Sequence, residues 1–166
     1  MQSPQIPTEV HVSTIESRLD RLGLTLPTPP KPVASYVPAV SVNAGKLVFI
    51  AGQIPTIAGK PMATGTVPDQ VSRELARECA RQCALNGLAC LREEVGSLDR
   101  LRKVVRLDAF VACHPGFGDH PQIVNGASDL FVEILGDAGK HSRVSVGAPS
   151  LPLNVPVEIA FTFLVD

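Results

Sequence analysis

An α+β domain is the fold class this sequence predicts, and three observations predict it. Two long segments, 69–95 and 121–134, carry apolar residues at helical spacing, and four or five shorter ones alternate or run apolar as strands do. Their order is hairpin, helix, strand, helix, strand, strand, which suggests two helices on one face of a mixed sheet. The 166 residues, 45% of them hydrophobic, have the size of one domain with a substantial core.

In chain order, the first element is a short amphipathic helix over 13–22. Ser13 and Glu16 stand in capping-box spacing, and Ile15, Leu19 and Leu22 form its apolar stripe. That stripe must cover the main body or a neighbouring subunit. Pro27, Pro29, Pro30 and Pro32 make the next segment an extended linker, so residues 1–32 are expected to be an extension and 33–166 the α+β domain. Residues 37–42 and 47–51 read as a hairpin turning at Asn43, Ala44 and Gly45. The stretch 52–68 is rich in loop residues, and Gly52, directly after a strand, marks a bulge or a place where another chain or a ligand approaches the backbone.

The helix over 69–95 carries Val71, Leu75, Cys79, Cys83, Leu88 and Leu91 and stops at Gly96. Cys79, Cys83 and Cys90 fall near one face of it and read as small buried thiols, with Cys113 isolated. A strand over 101–113 turns Val105, Leu107, Ala109, Val111 and Cys113 one way. Pro121 suits the first turn of the second helix, whose buried face is Ile123, Val124, Ala127, Leu130, Phe131 and Ile134 before Gly136. Strands at 143–148 and 156–165 close the chain, and an antiparallel pairing between them would set Arg143 nearly opposite Glu158. With both helices on one face, the other face of the sheet still carries Val, Leu, Ile and Phe, which predicts an oligomer.

Composition excludes several functions. The aromatics are six Phe and one Tyr with no Trp, and formal net charge is −1 with no basic run, so neither stacking platforms nor an electrostatic footprint for nucleic acid is present. The start MQSPQIPTEV lacks a basic region followed by an apolar run, and no stretch approaches the ~20 apolar residues of a span. A cytoplasmic protein acting on a small molecule, with no membrane or nucleic-acid partner, is the expectation.

Arg143 and Glu158 are the candidates for chemistry. On spacing alone they fit a cross-strand ion pair, worth roughly 0.2–1 kcal/mol, or a site in which Arg143 binds a carboxylate and Glu158 works on water. His114, Asp119 and His120 share a Gly-Pro loop and read as a solvated loop or helix cap, while His141 stands beside Arg143 where it could line a cleft mouth.

Four separated motifs, AGQIP at 51–55, the Asn of IVNGA at Asn125, SRVSV at 142–146 and LPLNVPVEIAF at 151–161, together resemble the Rid (YjgF-like, reactive-intermediate deaminase) family over roughly residues 36–166. Older labels for that family are endoribonuclease L-PSP and translation initiation inhibitor. The resemblance implies a chorismate-mutase-like α+β fold, a homotrimer with sites in clefts between subunits, and cofactor-free and metal-free hydrolysis of 2-imino or 2-enamino acids to 2-keto acids and ammonia. It implies that Arg143 holds the substrate carboxylate, that Glu158 orients or activates the water, and that Gly52, Ser145, Asn125 and Tyr36 line the substrate site. Ala51 stands where many members have Ser, Ser145 where many have Cys, and the N-terminal extension could narrow the cleft. A trimer that binds a keto acid as a signal without turning it over is the alternative, and a ribonuclease fits least.

Overall fold

The computed structural model describes residues 14–29, 37–41 and 47–166. Helix α1 spans Ile15–Arg21, strand β1 Ala39–Ser41, β2 Leu47–Gln53, β3 Thr56–Ile57, β4 Lys60–Pro61, helix α2 Arg73–Val95, strand β5 Leu101–Ala112, helix α3 His120–Leu135, strand β6 Ser142–Ala148 and strand β7 Val157–Val165. A five-stranded sheet runs in the order β1-β2-β7-β5-β6, and β3 pairs with β4 alone. Helix α2 lies over β2 and β7, and α3 over β5 and β6, so the α+β class and the two helices on one face hold.

Local chemistry sets the helix ends. Ser72 caps α2 by accepting from the Leu75 amide, and Gly96 closes it at φ 85°. Pro121 opens α3 and Gly136 ends it at φ 60°. The predicted α3 face, Ile123, Val124, Ala127, Leu130, Phe131 and Ile134, is wholly buried. Phe131 stands edge-on to Phe161 and Phe163 of β7, with centroids 5.7 and 5.9 Å away. Helix α2 comes down on the sheet at Gly87, where a Cβ would sit 2.7 Å from the Phe161 ring. The two helices meet where a Cβ on Gly126 would overlap the Arg77 carbonyl.

Several expectations need correction. The cap of α1 is Thr14, whose hydroxyl accepts from the Ser17 amide, while Glu16 instead accepts from the distant Leu98 amide. The expected Ser13 cap, the turn at 43–45 and Tyr36 lie outside the described residues. Leu75 is exposed, because the buried face of this turn of α2 passes through Ala76, Cys79 and Ala80 and leaves Leu75 on the outer side. On β5 it is Val104 that is buried, not Val105, because the β5–β7 register slips between Val104 and Arg106.

The largest correction concerns the last two strands. β6 and β7 do not pair. β6 runs parallel to β5 from Arg106↔Ser142 to Ala112↔Ala148, and β7 runs antiparallel on the other side of β5. The helical connection through α3 brings β6 back parallel to β5. The chain then crosses the end of β5 through Leu153 and Asn154, both at positive φ, where the Asn154 carbonyl accepts from Gly65 and that of Pro156 from Ala112.

The face of the sheet away from the helices is open and carries exposed apolar side chains beside the Arg106–Asp108 ion pair. Phe49 is 46% exposed, Phe110 38%, Val144 40% and Val146 45%. At the opposite end of α3 from its N-terminus, α1 packs on the body: Asp99 accepts from the Ile15 amide, and Arg18 donates to the Ile134 carbonyl. Within the chain, this helix therefore lies away from Arg143. Among the described residues, no helix is long and apolar enough to cross a membrane.

Candidate functional site

Arg143 is opposite Leu107, which is wholly buried, so its side chain leaves β6 on the helix-covered face. There Nη1 donates to Ser128 Oγ at 2.7 Å, and Nη2 donates to the Pro121 carbonyl at 3.0 Å and Asn125 Oδ1 at 2.8 Å. Positions 121, 125 and 128 fall at i, i+4 and i+7, one stripe of α3, which is why one guanidinium reaches all of them. Gln122 accepts from Asn125 Nδ2 at 3.3 Å and so turns the Asn125 oxygen toward the arginine. Ser128 was not foreseen in the sequence, although its spacing from Asn125 could have revealed it.

All these acceptors are neutral. The acidic residues on and beside α3 are taken by α2, Asp119 by Arg73, Asp129 by Arg77 and Glu133 by Arg81. Among the described residues no carboxylate pairs with Arg143. Burial pulls its pKa below the usual arginine value, with Asp129 opposing, yet a guanidinium stays charged at neutral pH. Among the described residues, two of its five N–H donors have no partner.

Glu158 lies opposite Phe110, on the open face of the sheet. Between Ile50 and Gln53, β2 carries one residue more than β7 across from it, a bulge at Ala51 and Gly52. A Cβ on Gly52 would overlap the Glu158 carboxyl, so the missing side chain makes room for it. Buried Gln53 donates to the Ala51 carbonyl at 3.0 Å, and buried Asn86 donates to the Ile54 carbonyl at 2.8 Å, which pins the strand beyond the bulge to α2. Burial pushes the Glu158 pKa above the ordinary carboxylate value. No hydrogen bond or ion pair engages its carboxylate among the described residues.

The predicted residues thus fall into two groups. Arg143, Asn125 and Ser145, which faces the helices opposite Ala109, lie on one side of the sheet. Gly52 and Glu158 lie on the other. Within one subunit Arg143 and Glu158 form no ion pair, so the ion-pair reading fails.

The histidines divide differently. His141 bonds Ser128 and the Gly139 carbonyl, behind the arginine. His114 bonds its neighbour's carbonyl at Pro115. Asp119 occupies the cap position of α3 without a side-chain cap bond, being drawn to Arg73. Cys113 is not isolated, for its sulfur lies 3.4 Å from His120 Nε2 over Gly147, where a Cβ would meet both at 2.9 Å. Cys79, Cys83 and Cys90 are buried thiols, and burial pushes Cys79 and Cys90 up to about 11.

Comparison with known proteins adds to this geometry. Residues 16–164 match the family described as "YjgF/chorismate mutase-like, putative endoribonuclease". Over 146 residues, 87% of this chain and 90% of the relative, it is 33% identical to Protein TCP17 of Trypanosoma cruzi. The crystal structure of Atu1372 from Agrobacterium tumefaciens, a protein of unknown function, is 39% identical with TM-score 0.83, covering 92% of each chain. A Shewanella oneidensis protein bearing the same endoribonuclease description is 32% identical with TM-score 0.87, over 92% of this chain and 99% of that one. Sheet order, helix placement and these matches agree, and the chain belongs to the YjgF/chorismate-mutase-like family, with its α+β fold.

Proposed function

We propose that this protein hydrolyses reactive 2-imino and 2-enamino acids to 2-keto acids and ammonia, in clefts between subunits of a homotrimer. The observation that carries the reading is Arg143, a charged group that among the described residues is held by neutral acceptors only and keeps two donors without a partner. A small carboxylate supplies the missing negative charge through charge-assisted hydrogen bonds. Glu158 and Gly52 supply the complementary half. Because the two halves lie on opposite faces, one cleft uses Arg143, Asn125 and Ser145 from one subunit and Glu158 and Gly52 from the next. The open face with Phe49, Phe110, Val144 and Val146 is what such packing buries. Tyr36 is assigned to the substrate side by resemblance.

The chemistry needs only water. With the carboxylate on Arg143, an enamine tautomerises to the imine, which takes a proton from solvent to become the iminium. Glu158 accepts a proton from a water molecule as its oxygen bonds to C2, and the C=N electron pair moves to nitrogen. Glu158 then returns the proton to nitrogen. The carbinolamine collapses as its hydroxyl proton passes to Glu158, the C=O forms and ammonia leaves, and Glu158 then gives that proton to solvent. A carboxylate whose pKa is raised by burial is the better base for that step.

The test is hydrolysis of freshly generated 2-iminopropanoate, made by an amino-acid oxidase, with assembly measured by light scattering. Arg143→Ala and Glu158→Gln are each expected to lose about 100-fold or more in turnover while keeping the wild-type mass. Properly assembled wild type that adds nothing to the spontaneous rate would falsify the enzyme reading. Saturable keto-acid binding lost in Arg143→Ala would then favour a ligand sensor.

A further inference from the structure

Behind Arg143 stands a second layer of polar groups. His141 Nδ1 lies 2.6 Å from the Gly139 carbonyl, His141 Nε2 lies 3.0 Å from Ser128 Oγ, and Ser128 Oγ is 2.7 Å from Arg143 Nη1. One proton arrangement satisfies this whole row. The Gly139 carbonyl only accepts, so Nδ1 carries the hydrogen, and Nε2 accepts from the Ser128 hydroxyl, whose oxygen accepts from the guanidinium. The ring is half-buried and set edge-on to Phe131, with centroids 6.0 Å apart.

The charged groups facing this ring are cations. Lys103 of β5 and Arg143 of β6 are the cations whose charge acts on it. The α3 carboxylates Asp129 and Glu133 are engaged by Arg77 and Arg81, and Asp137 beyond α3 pairs with Lys140. No carboxylate forms an ion pair with His141 among the described residues. Burial, with Arg143 and Lys103 adding to it and the Gly139 bond opposing, holds its pKa below the usual histidine value.

We propose that His141, acting through Ser128, is a positioning residue for the Arg143 anchor, and that it couples carboxylate binding there to protonation of its own ring. The proposal rests on Arg143 as the carboxylate anchor. While Arg143 is unpaired, a second positive charge beside it is disfavoured, so the ring stays neutral and accepts from Ser128. A bound 2-oxo or 2-imino carboxylate neutralises Arg143 and lifts that penalty. By reciprocity, the carboxylate then binds more tightly as pH falls through the titration of His141. When the ring is protonated, Nε2 donates to Ser128 Oγ, which then accepts from both the ring and the guanidinium and stays in place. Loss of the imidazole instead leaves Ser128 with no partner behind it and loosens the anchor.

The experiment follows the His141 ring by NMR in the full chain with isotope-labelled histidine, between about pH 5 and 8. It is run on wild type and Arg143→Met, with and without pyruvate, and pyruvate affinity is measured across the same range in wild type, His141→Phe, Ser128→Ala and Ser128→Thr. The expected free ring is the Nδ1–H tautomer. Its titration midpoint moves up in Arg143→Met without ligand, and up in wild type when pyruvate saturates. Pyruvate affinity rises roughly threefold on acidification in wild type and is flat with pH in His141→Phe. Ser128→Ala weakens binding several-fold, and Ser128→Thr, which keeps the hydroxyl, restores it. A ring unmoved by Arg143→Met overturns the positioning, whatever pyruvate does. Pyruvate binding with the same pH profile in His141→Phe as in wild type overturns the coupling. A ring that responds to Arg143→Met while pyruvate binds nowhere refutes the anchor reading and leaves the positioning standing.

Discussion

Two inactive chains should make an active assembly. In one subunit Arg143 is level with Leu107 of β5 and Glu158 with Phe110, with β5 between their strands. Three residues along a strand and two strand spacings across put their Cα atoms about 14 Å apart. Their side chains then leave opposite faces, which adds to that distance. A three-carbon imino acid cannot touch both. If each cleft draws Arg143 from one subunit and Glu158 from the next, a mixed trimer of Arg143→Ala and Glu158→Ala chains has one cleft with both groups intact. Dually tagged mixed trimers, obtained by co-expression, should therefore recover about one third of wild-type 2-iminopropanoate turnover, while each variant alone is inactive. The assay is steady-state hydrolysis on the doubly purified fraction, with composition checked by native mass spectrometry. Mixed trimers as inactive as the parents, in the presence of active wild type, would refute the shared cleft.

Other expectations concern single positions. Gly52→Ala places a methyl group against the Glu158 carboxyl and should cut turnover roughly 10-fold or more, because that group must move, while thermal stability changes by less than about 1 kcal/mol. The raised pKa of Glu158 means the unfolded chain holds this proton less well than the folded one near neutrality, so its charge costs stability that returns as pH falls through the folded pKa. Glu158→Gln should accordingly unfold at higher temperature than wild type above that pKa and lose the advantage below it, while the acid limb of kcat/KM in wild type lies above the ordinary glutamate range. Gly126→Ala drives a methyl group into the Arg77 carbonyl and should cost about 1–3 kcal/mol in denaturant unfolding. It should also weaken carboxylate binding, since Asn125 and Ser128 ride on the displaced turn.

Much of the fold was legible because burial follows periodicity. The α3 stripe from Ile123 to Ile134 and the alternation of β7 needed only the rule that one face meets the core. The α1 cap was legible to within a residue, Thr14 in place of Ser13, whereas the helix read from Asp69 starts at Arg73 behind its Ser72 cap. Val104 in place of Val105 was not, because a bulge on β5 shifts the register without any sequence mark. The Cys113–His120 contact escaped because it joins the end of a strand to the start of a helix across a Gly-Pro loop.

The sequence by itself determined the element types, the helix-covered face, the family motifs, and which polar residues stand out from an apolar background. Those depend on spacing along the chain, which is written in the order of residues. Only the tertiary structure decided that β5 separates β6 from β7 and that Arg143 and Glu158 face opposite ways. It also decided that Ser128 and His141 stand behind the arginine. Strand pairing is a choice among edges, and the α3 crossover settled it by delivering β6 parallel to β5. Two strands that look like a hairpin on paper were parted by a third that could pair with both.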